Sequence, residues 1–128
     1  MGDSRHLIVV DAANVIGSRA NGWWKDRAGA ARRFLADVAR LTAGLPADTE
    51  ITVVLEGAAK VAADVPSPAR MNVVLAERSG DDKIVEVVAE AGSREQITVV
   101  TADRELRTRV AAHGAETVGP GWVWSRLD

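Results

Sequence analysis

Four short runs of mostly apolar residues recur along this chain of 128 residues, at 7–10, 51–55, 71–75 and 97–100. Runs of this length, with little alternation between apolar and polar side chains, are typical of strands that are buried on both faces of a sheet. Such strands belong to parallel sheets, in which a crossover connection joins each strand to the next. The runs therefore predict an α/β fold with a parallel sheet that helices cover on both faces.

Helical patterns occupy the segments between the apolar runs. Apolar residues recur at helical spacing over about 26–42, and Gly44 and Pro46 end that helix. Two further helices are predicted over about 81–92 and 103–113.

The remaining segments carry turn signals or short-strand signals. Segment 12–22 is predicted as a loop, and 57–64 as a short helix or an irregular crossover. A fifth, shorter strand is predicted at 116–118. Tryptophans alternate over 122–124, which favours a terminal strand at an edge of the sheet.

The composition limits the chemistry that is open to this chain. Its length predicts one domain, residues 1–128. It has no cysteine, which excludes disulfides, thiolate zinc sites and cysteine nucleophiles. Its two histidines, His6 and His113, are too few for a histidine-rich metal site. Any metal would therefore be bound by oxygen, the ligand atom that Mg²⁺ and Mn²⁺ prefer.

Hydropathy and charge indicate whether a membrane or a phosphate-bearing molecule is a plausible partner. No apolar run reaches the roughly 18 residues of a membrane span, so a cytoplasmic protein without a membrane partner is expected. The net charge is −2, but segment 17–34 has one acid, Asp26, against five cations: Arg19, Lys25, Arg27, Arg32 and Arg33. This basic segment would suit a phosphate-chain substrate, although a solvated helix face explains it equally well.

Acidic residues stand where the predicted strands end and the predicted helices begin. Asp11 and Glu56 each follow a strand, Asp81 and Asp82 open a helix, and Asp103 follows the fourth strand. Each acid alone is explained by an ordinary turn or helix cap. Because parallel strands bring their carboxyl ends to one edge of the sheet, however, we expect these acids to converge. Close carboxylates repel one another, and a divalent cation relieves that repulsion.

A cluster of this kind suits hydrolysis of a phosphodiester. Carboxylates can hold one or two hard cations, which lower the pKa of a bound water and stabilise charge on the attacking and leaving oxygens. Asn14 adds an amide near Asp11, and Thr101 adds a hydroxyl near Asp103. The residues expected to contact the substrate are Arg19, Lys25, Arg27, Thr101 and Arg104.

Three segments resemble the motifs of NYN domains, which belong to the PIN-like/flap-nuclease superfamily. They are Ile-Val-Val-Asp-Ala-Ala-Asn-Val-Ile-Gly at 8–17, Ser-Gly-Asp-Asp-Lys-Ile-Val-Glu at 79–86 and Val-Val-Thr-Ala-Asp-Arg-Glu-Leu at 99–106. The resemblance implies a Rossmann-like three-layer α/β/α sandwich with a mainly parallel sheet of four to five strands. It also implies an endoribonuclease that depends on Mg²⁺ or Mn²⁺ and has RNA as its partner.

The resemblance also implies which residues form the site. Matched motif by motif, the catalytic set is Asp11, Asn14, Asp81 and Asp103. Metal would be held by Asp11, Asp81 and Asp103, with Glu56 in support. Asp82 is an alternate for Asp81, because the match can shift by one position within the doubled acid.

The four tryptophans and two other functions stay open at this point. Trp23 and Trp24 are interpreted either as a platform on which an unpaired base stacks or as packing between a helix and the sheet. Trp122 and Trp124 are interpreted as cover for the core or as a contact in a homodimer. The alternatives to a ribonuclease are a non-catalytic RNA-binding module of the same fold and a hydrolase of nucleotide phosphoanhydrides.

Overall fold

The computed structural model describes residues 5–19, 22–57, 68–91 and 95–127. The strands are β1 Arg5–Asp11, β2 Thr49–Leu55, β3 Met71–Leu75, β4 Glu95–Val100 and β5 Glu116–Val118. The helices are α1 Ala12–Gly17, α2 Arg27–Ala43, α3 Gly80–Ala91, α4 Arg104–Ala111 and α5 Gly121–Leu127, and a 3₁₀ turn spans Trp23–Lys25. None of the helices within these described ranges is long and apolar enough to cross a membrane.

The strands form one parallel sheet in the order β3-β2-β1-β4-β5. Strand β1 is central, and the chain proceeds from it first toward β3 and later toward β5. The direction of progress therefore reverses between β1 and β4, which is the topological switch point of the sheet. Ligands of such sheets bind outside the carboxyl ends of the strands at this point.

Helices cover both faces of the sheet, which confirms the predicted three-layer α/β/α sandwich. Ile8 and Val10 of β1 belong to a hydrophobic cluster with α1, α2 and α5. Leu7 and Val9 belong to a second cluster, with α3 and α4. The alternation of a strand's side chains thus sends every residue of this apolar run into a core, which is why the run contains no polar residue.

The segment after Asp11 differs from the predicted loop. It forms the six-residue helix α1, in which Val15 and Ile16 are buried against the sheet. The side chain of Asp11 caps this helix by accepting from the backbone N–H of Asn14. The prediction was wrong because a helix of six residues is too short to show a clear apolar period.

The C-terminal segment also differs from its prediction. The alternating Trp122 and Trp124 lie on helix α5, not on a strand. Pro120 precedes the helix, and its carbonyl accepts from the N–H groups of Val123 and Trp124. Trp124 and Leu127 pack on the same core as Val123, the spacing of one helix face, so the resemblance to a strand was accidental. Of the predicted segment 57–64, only Gly57 lies within the described residues.

Candidate active site

Four of the predicted acids line one pocket at the carboxyl edge of the sheet. The pocket has a volume of about 400 Å³, and its walls are Asp11, Ala13, Asn14, Glu56, Ser79, Gly80, Asp81 and Asp103. The four acids come from the end of β1, the residue after β2, the start of α3 and the residue before α4. We name it the acidic pocket. It lies where the switch point places a ligand site.

Asp11 is the most buried of these acids, with 6% of its surface exposed. Its Oδ2 accepts from the Thr101 hydroxyl at 3.0 Å, and its Oδ1 accepts from the backbone N–H of Asn14 at 3.4 Å. Burial raises the pKa of Asp11 from 3.8 to about 6, and the negative charges of Asp81 and Glu56 act in the same direction. The two hydrogen bonds lower the pKa but do not offset burial.

Thr101 connects Asp11 to Asp103. Its hydroxyl donates to Asp11 and accepts from the backbone N–H of Asp103 at 3.2 Å. Thr101 is fully buried, and its carbonyl accepts from Arg107 Nε at 2.8 Å. The sequence suggests that this threonine contacts the substrate. In the structure it is not in the pocket wall, and its hydroxyl instead bonds to the side chain of one acid and the backbone of another. Arg107 was not predicted, because nothing in its sequence context points to the site.

The Asn14 side chain connects the segments that follow β1 and β4, the two strands at the switch point. Its side-chain oxygen accepts from the backbone N–H of Ala102 at 2.8 Å, which joins α1 to the loop between β4 and α4. The side-chain amide nitrogen has no hydrogen bond to any described residue. This nitrogen is therefore the group with which Asn14 can donate to a ligand in the acidic pocket.

Glu56 and Gly80 form the far wall of the acidic pocket. The Glu56 carboxylate accepts from the backbone N–H of Gly80 at the start of α3. A Cβ on Gly80 would lie 2.8 Å from Glu56 Oε2, closer than real Cβ atoms approach. A side chain at position 80 would therefore push the end of the Glu56 side chain away from the Gly80 N–H.

Asp81 and Asp82 are adjacent in sequence but lie in different surroundings. Asp81 lines the acidic pocket, and partial burial raises its pKa, with Asp103 and then Glu56 adding repulsion. Asp82 instead accepts from Arg109 of α4 at 2.9 Å and is absent from the pocket walls. The structure thus brings Asp81, and not Asp82, together with the other acids.

The cations that the sequence predicts to contact the substrate are outside the walls of the acidic pocket. Arg19 stacks on the ring of Trp124, with 4.2 Å between its guanidinium carbon and the ring centre. Arg27 stands over Trp23 at 5.6 Å and borders a neighbouring pocket. Lys25 is exposed on the 3₁₀ turn, and Arg104 is exposed at the start of α4. None of these four is in the wall of the acidic pocket.

The donor set of the acidic pocket fits a hard divalent cation. Four carboxylates and an amide are present, no thiolate or imidazole is among them, and two of the carboxylates have raised pKa values. Within residues 5–19, 22–57, 68–91 and 95–127, however, no three His, Asp or Glu side chains already stand so that they could hold one ion. Oxygens from a substrate phosphate would complete such a coordination shell.

The comparisons with known proteins agree with this fold. A sequence profile of the family described as the YacP-like NYN domain matches residues 8–128. The chain is similar to the crystal structure of Rae1 (YacP) from Bacillus subtilis, solved as a point mutant, with a TM-score of 0.68 and 17% sequence identity. This similarity covers 94% of the present chain and 73% of the other, and at such an identity it shows the fold alone. No curated protein matches significantly.

Proposed function

Because this chain belongs to the YacP-like NYN domain family, we propose that it is a ribonuclease that hydrolyses RNA phosphodiesters at the acidic pocket with the help of Mg²⁺ or Mn²⁺. The observation that carries the proposal is the convergence of four carboxylates from separate segments on one pocket. Burial, and after it the repulsion between these acids, raises the pKa of Asp11 and Asp81, so keeping both ionised in the pocket costs folding stability. Acids held together against such repulsion are typical of functional sites.

The residues of the acidic pocket divide into ligands and positioning groups. Asp11, Glu56, Asp81 and Asp103 would hold the cation, and Asn14 would donate from its amide nitrogen to a phosphate oxygen. Thr101 holds Asp11 and Asp103 in place. A bound cation would supply activation of a water nucleophile and stabilisation of charge on the phosphate oxygens. Burial raises the pKa of Asp11 to about 6 in the metal-free protein, so protons compete with the cation for this carboxylate as the pH falls below 6.

The test is cleavage of a 5′-labelled single-stranded RNA with Mn²⁺, with Mg²⁺ and with a chelator. We expect cleavage with the metals only, and a loss of about 100-fold or more in Asp11→Asn or Asp81→Asn. Asp82→Asn is the matched control, because its acid lies on the same turn of α3 but pairs with Arg109. It should cleave within about 3-fold of the wild type, as expected for an exposed ion pair.

Two results would contradict the proposal and identify the alternatives. RNA that binds equally well with and without a chelator, and is never cleaved, would indicate a non-catalytic RNA-binding module. Release of pyrophosphate from nucleoside triphosphates, with RNA left intact, would indicate a phosphoanhydride hydrolase. Equal losses in Asp81→Asn and Asp82→Asn would contradict the assignment of Asp81 alone to the pocket.

A further inference from the structure

A second pocket adjoins the acidic pocket and shares two of its wall residues, Ala13 and Glu56. Its volume is about 310 Å³, and its other walls are Ala12, Ile16, Trp23, Arg27, Gly57 and Arg78. We name it the side pocket. Because the two pockets have a wall in common, a chain-like ligand that reaches the acids can place its next unit in the side pocket.

The walls of the side pocket differ in chemistry from those of the acidic pocket. Ala12, Ile16 and the indole of Trp23 supply apolar and aromatic surface. Arg27 and Arg78 supply two positive charges. A flat aromatic group that carries phosphates matches both features, because its ring stacks on an indole and its phosphates pair with guanidinium groups.

Trp23 packs partly against the core, with its ring beside Gly17. Trp24 follows it at 6.1 Å between ring centres, with the two ring planes at 88°. Trp24 is 52% exposed and is not in the pocket wall. Trp24 is therefore a control for Trp23, since the two indoles are adjacent and only Trp23 is in the pocket wall.

We propose that the side pocket receives one unpaired nucleobase of the RNA strand, next to the phosphodiester that lies at the acids. The base stacks on Trp23 and displaces Arg27 from its place over that ring, and Arg27 and Arg78 then pair with the flanking phosphates. This inference rests on the proposed ribonuclease function and specifies its substrate class. A pocket of about 310 Å³ is at the small end for ligand sites and has room for one base. A base that stacks on Trp23 has left its pairing partner, so the proposed substrate is single-stranded or locally unpaired RNA.

The test removes one nucleobase from the RNA, the Trp23 indole from the protein, or both. Cleavage is measured with Mn²⁺ on a labelled RNA dodecamer with one main cleavage site, and on a series in which each nucleotide in turn is abasic. For the wild type we expect kcat/KM to fall about 5- to 100-fold at one position beside the cleaved bond, the range of one base stacking on an aromatic side chain. Trp23→Ala should lose the same factor on intact RNA and nothing more on that abasic RNA.

Matched variants separate stacking from folding. Trp24→Ala should keep the full sensitivity to the abasic position, because its indole lies outside the pocket. Trp23→Leu keeps apolar volume against the core but removes the aromatic face, so it should behave as Trp23→Ala even where the alanine variant folds poorly. Arg78→Ala should raise KM about 3- to 10-fold with kcat unchanged, since it removes one phosphate contact.

The outcomes distinguish this inference from the function on which it rests. If the protein cleaves RNA but no abasic position matters more than its neighbours, the side pocket is not a base site. The same holds if Trp23→Leu stays as sensitive to the abasic position as the wild type. If no RNA is cleaved under any condition, the ribonuclease proposal and the base site fall together.

Discussion

Asp11 is a buried carboxylate whose ionised form is destabilised by its surroundings. The carboxylate is 6% exposed, has two hydrogen bonds and still has a raised pKa. A carboxyl group whose pKa is higher in the folded than in the unfolded state binds extra protons on folding. Stability due to Asp11 is therefore greatest at low pH, falls as the pH rises from about 4 to about 6, and stays low above that.

Asp11→Asn is expected to stabilise the protein near neutral pH while it abolishes cleavage. The amide carries no charge, and the Thr101 hydroxyl can rotate to pair with it. The gain should reach up to about 3 kcal/mol at pH 7 and vanish near pH 4, from the shift of the Asp11 pKa. Urea unfolding in chelator, measured from pH 4 to pH 7.5, checks both the size and the pH dependence.

Asp82→Asn again serves as the comparison, because its acid is paired with Arg109 outside the acidic pocket. It should keep the wild-type loss of stability between pH 4 and pH 6. An Asp11→Asn variant that is less stable than the wild type at pH 7 would show that the carboxylate contributes to folding in its own right.

For single residues, the sequence predicted which acids lie near the site but not which way each side chain points. Asp11, Glu56 and Asp103 were identified because each follows a strand of a parallel sheet. Asp81 and Asp82 could not be distinguished, since both stand at a helix start and only Arg109, distant in sequence, draws one of them away. Arg78 was missed for a similar reason: it lies in a connecting loop, where no periodicity indicates which way a side chain points.

Among the secondary-structure elements, the start of α3 carries the most information about the site. Gly80 presents its N–H to Glu56 and leaves no room for a Cβ beside that carboxylate. The helix therefore contributes two things to the acidic pocket: the Asp81 side chain and a backbone donor that holds Glu56.

Gly80→Ala is expected to displace Glu56 and to reduce cleavage more than stability. Loss of one hydrogen bond to a charged group corresponds to about 1.5–3 kcal/mol, or roughly 10- to 100-fold if it is expressed in kcat/KM. Alanine is the better helix former, which offsets part of the cost to stability. Cleavage assays and thermal unfolding of the same preparations measure the two effects.

Gly121→Ala provides the control, because no atom lies within 4 Å of a Cβ at that helix start. It should leave cleavage unchanged and alter the melting temperature by only a degree or two. A Gly80→Ala variant that cleaves as fast as Gly121→Ala would mean that the position of Glu56 does not matter for the reaction.

The elements that sequence reasoning placed well are those with a long or unmixed pattern. Helix α2 has several turns on which buried residues recur, and the short, nearly continuous apolar runs of β1 and β2 are typical of buried strands. Helices α1 and α5 have six and seven residues, and each depends on tertiary packing for its apolar face. These two short helices form because they cover one face of the sheet. A local sequence pattern carries no information about that packing.

For the whole molecule, helix α5 links the end of the chain to the side of the sheet that carries α1 and α2. The Trp124 ring lies 5.8 Å from that of Phe34, and its Nε1 donates to Ser18 Oγ at 2.9 Å. The Arg19 guanidinium stacks on the same indole, 4.2 Å from the ring centre. The C-terminal helix thus buttresses α1, the element that follows Asp11.

Trp124→Ala is expected to lower the free energy of unfolding by about 2–4 kcal/mol, since it removes a half-buried indole from between two helices. Chemical denaturation measures the loss. Trp24→Ala removes the same side chain from an exposed position and should change stability by no more than about 0.5 kcal/mol. Equal losses in the two variants would contradict a buttressing role for α5.

Three of the four pocket acids are held by the backbone at the start of a helix: Asp11 by Asn14, Glu56 by Gly80 and Asp103 by Leu106. Each of these hydrogen bonds limits how far its carboxylate can move toward a large ion that needs seven or eight ligands. If the proposed cation binds here, we therefore expect the pocket to favour an octahedral ion that keeps several of its own waters over Ca²⁺.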